Sequence, residues 1–234
     1  MVTGAERGIG REIVRALHRR GWTGMLLHSL DGPSLQSTFA GAEGDGLDLV
    51  LASGDIADDE AVSSAVLRAH ERFGRLDAVF NVAGVAYPGS PSGAELDHWR
   101  RSWETNVMGY VNVARAVSPI LKEQGSGHVV NLSSVWAHLP SQAMAPYAVT
   151  KHAVHGLSES MALELRPHGV KVSTVVLDKV DTGFRENMPG AELSQEQRDL
   201  MLDPRAVAEV VVQLVDTDDR TNVSLVQLDA WQWQ

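Results

Sequence analysis

Residues 1–20 read MVTGAERGIGREIVRALHRR. The glycines Gly4, Gly8 and Gly10 give the spacing G-x-x-x-G-x-G, and the helical pattern REIVRALHRR follows without a break. Glycines allow a tight turn and close backbone approach, so the first helical turn can present free N–H groups to a pyrophosphate. A P-loop is ruled out, because no Lys-Ser or Lys-Thr pair follows. Alone, the motif is also what a plain surface turn looks like. Only Met1 and Val2 precede Thr3, so the first strand is expected either to be truncated or to begin upstream of the printed start.

Downstream, short β-branched runs alternate with longer amphipathic stretches. Residues 25–29, 49–53, 77–84, 128–134, 170–177 and 222–228 read as strands, and residues 10–20, 58–74, 97–125, 146–169 and 204–215 as helical patterns. Strands apolar throughout and separated by helices predict a parallel sheet covered on both faces. The class is α/β, doubly wound and Rossmann-like. Gly21, Gly74, Gly125 and Gly169 each follow a helical pattern, where a left-handed C-cap suits glycine. The mixed, polar stretch 183–204 reads as a substrate lid over the carboxyl edge of the sheet.

The 234 residues fit one domain, 1–234. A formal charge of −10 offers no field to draw a phosphate backbone or an anionic membrane, which argues against nucleic-acid and membrane partners. With no cysteine there is no disulfide, thiolate zinc site or cysteine nucleophile, which fits a reducing cytoplasm. No apolar run approaches the 18 or so residues of a membrane span, and no basic segment followed by an apolar one opens the chain. Lysine occurs only at Lys122, Lys151, Lys171 and Lys179 among 20 basic residues, a usage that suggests a GC-rich bacterial genome.

Within "PYAVTK" at 146–151, Tyr147 and Lys151 lie four residues apart in a helical pattern and so share one face. A nearby cation favours phenolate and moves a tyrosine pKa towards a value useful for proton transfer. An incidental surface pair is the bland alternative. The nine histidines show no metal spacing, no metal site is expected, and no GxSxG elbow supports a serine hydrolase.

TGxxxGxG at Thr3–Gly10, NVAG at Asn81–Gly84, Asn106 in TNVMG, Ser134 in NLSS and YxxxK at Tyr147–Lys151 together resemble the short, single-domain branch of the short-chain dehydrogenases/reductases. The likeness runs from Thr3 to about Leu228, and Ser134 lies 13 residues before Tyr147, as the family pattern requires. The resemblance implies that Tyr147 is the general acid or base, that Ser134 holds the substrate oxygen, and that Lys151 tunes Tyr147 and binds the nicotinamide ribose. It also implies that Asn106 anchors a water leading to Lys151. A turn cap, the bland reading of Ser134, suits Ser133 better.

The resemblance further implies cofactor contacts at Gly4, Arg7, Gly8, Ile9 and Gly10, at His28 and Ser29, at Asp55 and Ile56, and at Asn81, Ala83 and Gly84. Tyr147, Lys151, Val180 and Thr182 complete the set. NAD-preferring members carry an acid at the end of the second strand, where His28 and Ser29 stand here. With Arg7 in the glycine loop able to face a 2′-phosphate, this favours NADP(H) over NAD(H). Asp55 resembles the acid that contacts adenine, while Asp58 and Asp59 suit a helix N-terminus.

The chain departs from the family pattern in Val82 for the second Asn of NNAG, in Leu177-Asp178 for Pro-Gly, and in the short first strand. Asp178 would add negative charge near the nicotinamide pocket. Tyr87, Trp136, His138, Met144, Phe184 and Met188 border the expected substrate pocket, where they are equally suited to lid or core packing. Residues 97–124 and 147–166 resemble the helices through which family members form homodimers and homotetramers, with Trp231 and Trp233 expected to pack on a neighbour. The function expected is NADP(H)-dependent reduction of a carbonyl, or oxidation of a secondary alcohol, on a small to medium metabolite. The alternative is a catalytically weak cofactor-binding regulator or scaffold on the same fold.

Overall fold

A computed structural model of the chain describes residues 1–185, 188 and 193–231. Strand β1 (Val2–Thr3) leads through the glycine loop into α1 (Gly8–Arg19), followed by β2 (Gly24–Ser29), α2 (Gly32–Thr38), β3 (Asp48–Ser53), α3 (Asp59–Phe73) and β4 (Ala78–Asn81). The second half runs α4 (Leu96–Trp103), α5 (Gly109–Gln124), β5 (Gly127–Ser134), α6 (Ala145–Leu165), β6 (Val170–Leu177), α7 (Gln195–Asp199), α8 (Pro204–Gln213) and β7 (Leu225–Leu228). The seven strands form one parallel sheet in the order β3-β2-β1-β4-β5-β6-β7. The order reverses at β1, and the connections leaving β1 and β4 pass to helices on opposite faces of the sheet, which is where open α/β sheets bind ligands.

Period-2 alternation along the buried strands feeds two separate cores. Met25, Leu27, Ala78, Phe80, Val130 and Leu132 face α1, α2 and α8, with Ile13, Leu17, Leu35, Val207 and Val211 opposite them. Leu26, Val79, Val129 and Val172 face the other way, onto Val62 and Val66 of α3, Val113 and Val117 of α5, and Met161 and Leu165 of α6. Each fully buried Val or Leu contributes about 1.5–3 kcal/mol, so both helical layers are held by the sheet rather than by helix propensity.

Strand β1 comprises two residues, Val2–Thr3. β1 pairs with β2 only at Val2 opposite Leu27 and Thr3 opposite His28, and with β4 only at Val2 opposite Phe80. Beside it, Gly24–Leu26 of β2 and Ala78 of β4 border a cavity of about 680 Å³. A hydroxyl compensates for the brief ladder, since Thr3 Oγ1 accepts the Val82 N–H at 2.9 Å and the Ala83 N–H at 3.0 Å.

The pattern 97–125 is one continuous helical body in three parts: α4, a π-helical turn at Glu104–Met108, and α5. Gly74, Gly125 and Gly169 close their helices in the left-handed region. Part of the expected lid, residues 186, 187 and 189–192, lies outside the described residues. Its end is tied to the segment that follows β6, with the Asp181 N–H donating to Leu202 O at 2.9 Å and the Leu202 N–H to Lys179 O at 2.8 Å. Trp233 also lies outside the described residues, and Trp231 is 93% exposed.

Candidate active site

A cleft of about 1380 Å³ runs along the carboxyl ends of the strands, from the glycine loop at one end to Met144, Phe184 and Met188 at the other. The loop's shape depends on its glycines. Gly4 and Gly8 have φ of +62° and +52°, in the left-handed region, and a Cβ on Gly10 would overlap the Gly4 carbonyl oxygen. α1 carries no side-chain cap and no acidic residue in its first turn, so its leading N–H groups and dipole face the cleft uncompensated. A Cβ on Gly4 would press on Ala83, and one on Gly8 on Thr182, so the loop is closely walled from both sides. The glycine backbone can receive a pyrophosphate, and the cleft runs from it both to the ends of β2 and β3 and to the ends of β5 and β6.

Most of the residues singled out in the sequence meet here. Gly4, Arg7, Gly8, Ile9, Gly10, His28, Ser29, Asp55, Ile56, Ala83, Gly84, Ser134, Tyr147, Lys151, Val180 and Thr182 all line the cleft. His28 is 2% exposed, and burial pushes its pKa below the ordinary value. Asp55 accepts the Ala57 N–H at 2.9 Å, whereas the helix-capping role falls to Asp58, which accepts from Glu60 and Ala61 at 3.0 and 3.1 Å.

Asn81 and Asn106 are placed differently. Asn81 is fully buried in the sheet, away from the cleft lining, and donates to Asn131 Oδ1 at 2.8 Å; Asn131 in turn donates to Ser158 Oγ at 2.9 Å. The pleat explains this, because a residue in β4 and its neighbour in β5 at the same register share one interior face. Asn106, in the π-helical turn, also stands behind the lining. Its Oδ1 accepts the Val85 N–H at 2.8 Å, while its amide donates to Val85 O at 2.8 Å and to Thr150 Oγ1 at 3.0 Å. Its carboxamide thus ties the loop after β4 to the helix that carries Tyr147 and Lys151.

Tyr147 and Lys151 project from the first turns of α6, both largely buried at 8% and 4% exposure. Lys151 Nζ lies 5.5 Å from the centroid of the Tyr147 ring and donates to Leu132 O at 2.9 Å. Burial lowers its pKa to about 8. Ser134, at the end of β5, caps the short turn Val135–Ala137 through a long 3.4 Å contact from Trp136 N–H, so the cap falls on Ser134 rather than on Ser133, as the sequence had suggested. Ser133 Oγ instead reaches Lys151 O at 3.5 Å.

Asp178 lines the cleft, and its carboxylate also accepts the Ala230 N–H at 3.4 Å, a contact that draws it towards the segment after β7. Of the six residues expected at the substrate end, Trp136, Met144, Phe184 and Met188 line the cleft. Tyr87 and His138 do not. Tyr87 stacks on His98 at 4.7 Å, and His138 meets His155 edge-on at 5.0 Å.

Three supporting residues were not visible in the sequence. The Tyr110 hydroxyl reaches Asn81 O at 2.8 Å and Leu132 O at 3.1 Å, sharing the carbonyl that holds Lys151. Asn112 donates to Ile56 O at 3.1 Å and fixes one wall of the cleft. Thr150 accepts from Asn106 and donates to Tyr147 O at 2.7 Å. Apart from the local Thr150–Tyr147 bond, these are long-range contacts with no motif of their own.

Residues 1–192 match the family model for short chain dehydrogenases. An uncharacterised oxidoreductase of Staphylococcus epidermidis is 28% identical over 228 residues, 97% of this chain and 95% of the relative. An alcohol dehydrogenase from the archaeon Thermococcus sibiricus, solved with 5-hydroxy-NADP, superposes with a TM-score of 0.88 at 25% identity, covering all of this chain and 96% of that one. A metagenomic short-chain oxidoreductase in complex with NADP gives a TM-score of 0.81 at 27% identity, covering 97% of this chain and 94% of that one.

Proposed function

Because the chain belongs to the short-chain dehydrogenase/reductase family, we propose that it transfers a hydride between a nicotinamide dinucleotide and a carbonyl or secondary alcohol of a small to medium metabolite. The observation that carries this reading is the buried pair on one face of α6. Tyr147 and Lys151 border the cleft together, with the ammonium 5.5 Å from the phenol ring.

In the reduction direction Tyr147 gives its hydroxyl proton to the carbonyl oxygen, and in oxidation it takes that proton back. Ser134 donates a hydrogen bond to the same oxygen and holds the alkoxide charge as it develops. Lys151, as ammonium, favours the phenolate left on Tyr147. Asn106 acts from behind the lining by fixing Val85 and Thr150, and so the start of α6. The hydride itself is the chemistry supplied by the bound nicotinamide.

For the cofactor, the reading is NADP(H). It is supported by Arg7, half-exposed at the cleft, and by the absence of an acid at His28 and Ser29, where neutral groups meet the adenosine ribose. A second reading, NAD(H), is favoured by one observation: Glu6 Oε1 lies 3.7 Å from Arg7 Nε, partly offsetting the cation a 2′-phosphate would need. Fluorescence titration with NADPH and NADH separates the two. The NADP(H) reading expects NADPH to bind about tenfold tighter, the value of one charge-assisted contact, and Arg7→Ala to abolish the difference. Equal affinities, or a preference for NADH, establish the second reading. Turnover of a varied carbonyl panel then tests catalysis, and cofactor binding with no consumption points to the regulator instead.

Exposed apolar side chains on α4 and α6, Trp103 and Val149 among them, support assembly of copies through these helices. The proposed state is a homodimer or homotetramer, and a monomer by light scattering contradicts it. No helix among the described residues is long and apolar enough to cross a membrane, and residence in a reducing cytoplasm is the reading that the lack of cysteine supports.

A further inference from the structure

The cleft is chemically divided. Glu6, Arg7, Asp31 and Asp55 all lie on the loops that follow β1, β2 and β3, at the end assigned above to the adenosine half. Around the Tyr147 phenol the surroundings change. Ala86, Met144 and Tyr147 form a buried apolar cluster, and Trp136, Phe184 and Met188 pack against it. The Trp136 ring meets Tyr147 edge-on, with centroids 5.8 Å apart and planes at 78°, and Phe184 meets it at 5.8 Å and 60°. The proton-transfer group is therefore flanked by two aromatic side chains, with the thioethers of Met144 and Met188 in the same cluster.

Among the described residues, none of this cluster carries a charge. The nearby Ser141 hydroxyl accepts the Met144 N–H at 3.1 Å, and the Lys151 ammonium, outside this cluster, donates one hydrogen bond to Leu132 O. A substrate carboxylate or phosphate lying against this wall would lose its hydration with no cation in the cluster to replace it, a strongly unfavourable transfer. Aromatic rings, by contrast, offer large apolar faces and favourable edge-to-face or offset geometry, and the thioether adds contact to a ring edge. Asp178 and Lys179, at the neighbouring end of β6, carry opposite charges.

We propose that the substrate is an uncharged ketone whose carbonyl is borne on or beside an alicyclic or aromatic ring, or the corresponding alcohol, with Trp136 as the residue that selects the ring. This rests on the oxidoreductase reading, and the test separates the two. The full-length protein, saturated with NADPH, is assayed on 1-tetralone, acetone and 2-oxobutanoate, and 1-tetralone binding to the NADP⁺-loaded protein is measured by calorimetry.

A kcat/KM for 1-tetralone at least about 100-fold above that for 2-oxobutanoate is expected. Trp136→Ala should lower kcat/KM on 1-tetralone at least about tenfold more than on acetone, with Trp136→Phe recovering part of the loss and cofactor affinity holding for both variants. Turnover of 2-oxobutanoate equal to or better than that of 1-tetralone overturns the substrate class and leaves the oxidoreductase reading standing. Binding of 1-tetralone that Trp136→Ala weakens, without turnover of any carbonyl, upholds the ring site and overturns the redox reading. No detectable binding of 1-tetralone overturns the ring site whatever the turnover.

Discussion

Lys151 Nζ donates a 2.9 Å hydrogen bond to the carbonyl oxygen of Leu132, one residue from the Ser133-Ser134 end of β5. The bond joins α6 to the sheet at the point where the two halves of the candidate site meet. It also explains how an ammonium can stand 4% exposed, since one of its protons is bonded inside the protein and its charge is shared between the rings of Tyr110 and Tyr147, each 5.5 Å away.

Burial brings the Lys151 pKa from the ordinary 10.5 down to about 8, and this has a measurable sign. Between those two values the unfolded chain holds the proton and the folded chain does not, so the contribution of Lys151 to stability rises with pH across that window. Below pH 8 both states are protonated, and the full penalty of the buried charge applies. Urea unfolding of the cofactor-free protein should show wild type gaining about 3 kcal/mol relative to Lys151→Met between pH 8 and 10.5. A constant difference would mean that the ammonium is not desolvated.

Thr3 is the hidden support of the short first strand. Its hydroxyl oxygen accepts two backbone N–H groups from the loop after β4. Thr3→Val keeps the shape of a fully buried side chain and removes the acceptor, leaving two part-buried donors unpaired at the edge of the cleft. A loss of about 1–3 kcal/mol in unfolding free energy is expected, because a buried donor left unsatisfied costs about 1–3 kcal/mol and these two are partly open to water. A change below 0.5 kcal/mol would show that water replaces the hydroxyl.

Gly10→Ala tests the glycine cradle. Its Cβ would overlap the Gly4 carbonyl oxygen, so the loop must open and the N–H groups at the start of α1 lose their common aim. Fluorescence titration should show dinucleotide affinity falling at least about tenfold, a loss of 1.4 kcal/mol or more. A variant that remains folded by circular dichroism and binds normally would contradict this geometry.

The sheet was legible because buried parallel strands are apolar throughout and their periodicity is local. β6 at Val170–Leu177 coincides with the run read from sequence. The glycine loop and the Tyr147–Lys151 pair were legible for the same reason, each being a short-range pattern with a physical requirement. That the Asn81 side chain stands off the cleft was not legible, because its partner, Asn131, is 50 residues away and is brought beside it only by strand register. Tyr87 and His138 lie near the right motifs in sequence but turn to partners in α4 and α6, His98 and His155. The supporting contacts of Tyr110, Asn112 and Thr150 depend on the same long-range placement and leave no sequence signature.

The most direct test of the central claim is single-turnover reduction of a carbonyl substrate by Tyr147→Phe, with cofactor affinity measured on the same sample. The substitution removes one oxygen and preserves the aromatic contacts to Trp136 and Phe184. Loss of the general acid should lower the rate at least about 100-fold while dinucleotide affinity stays within a few-fold of wild type. A rate within a few-fold of wild type would contradict the assignment of Tyr147 as the proton donor.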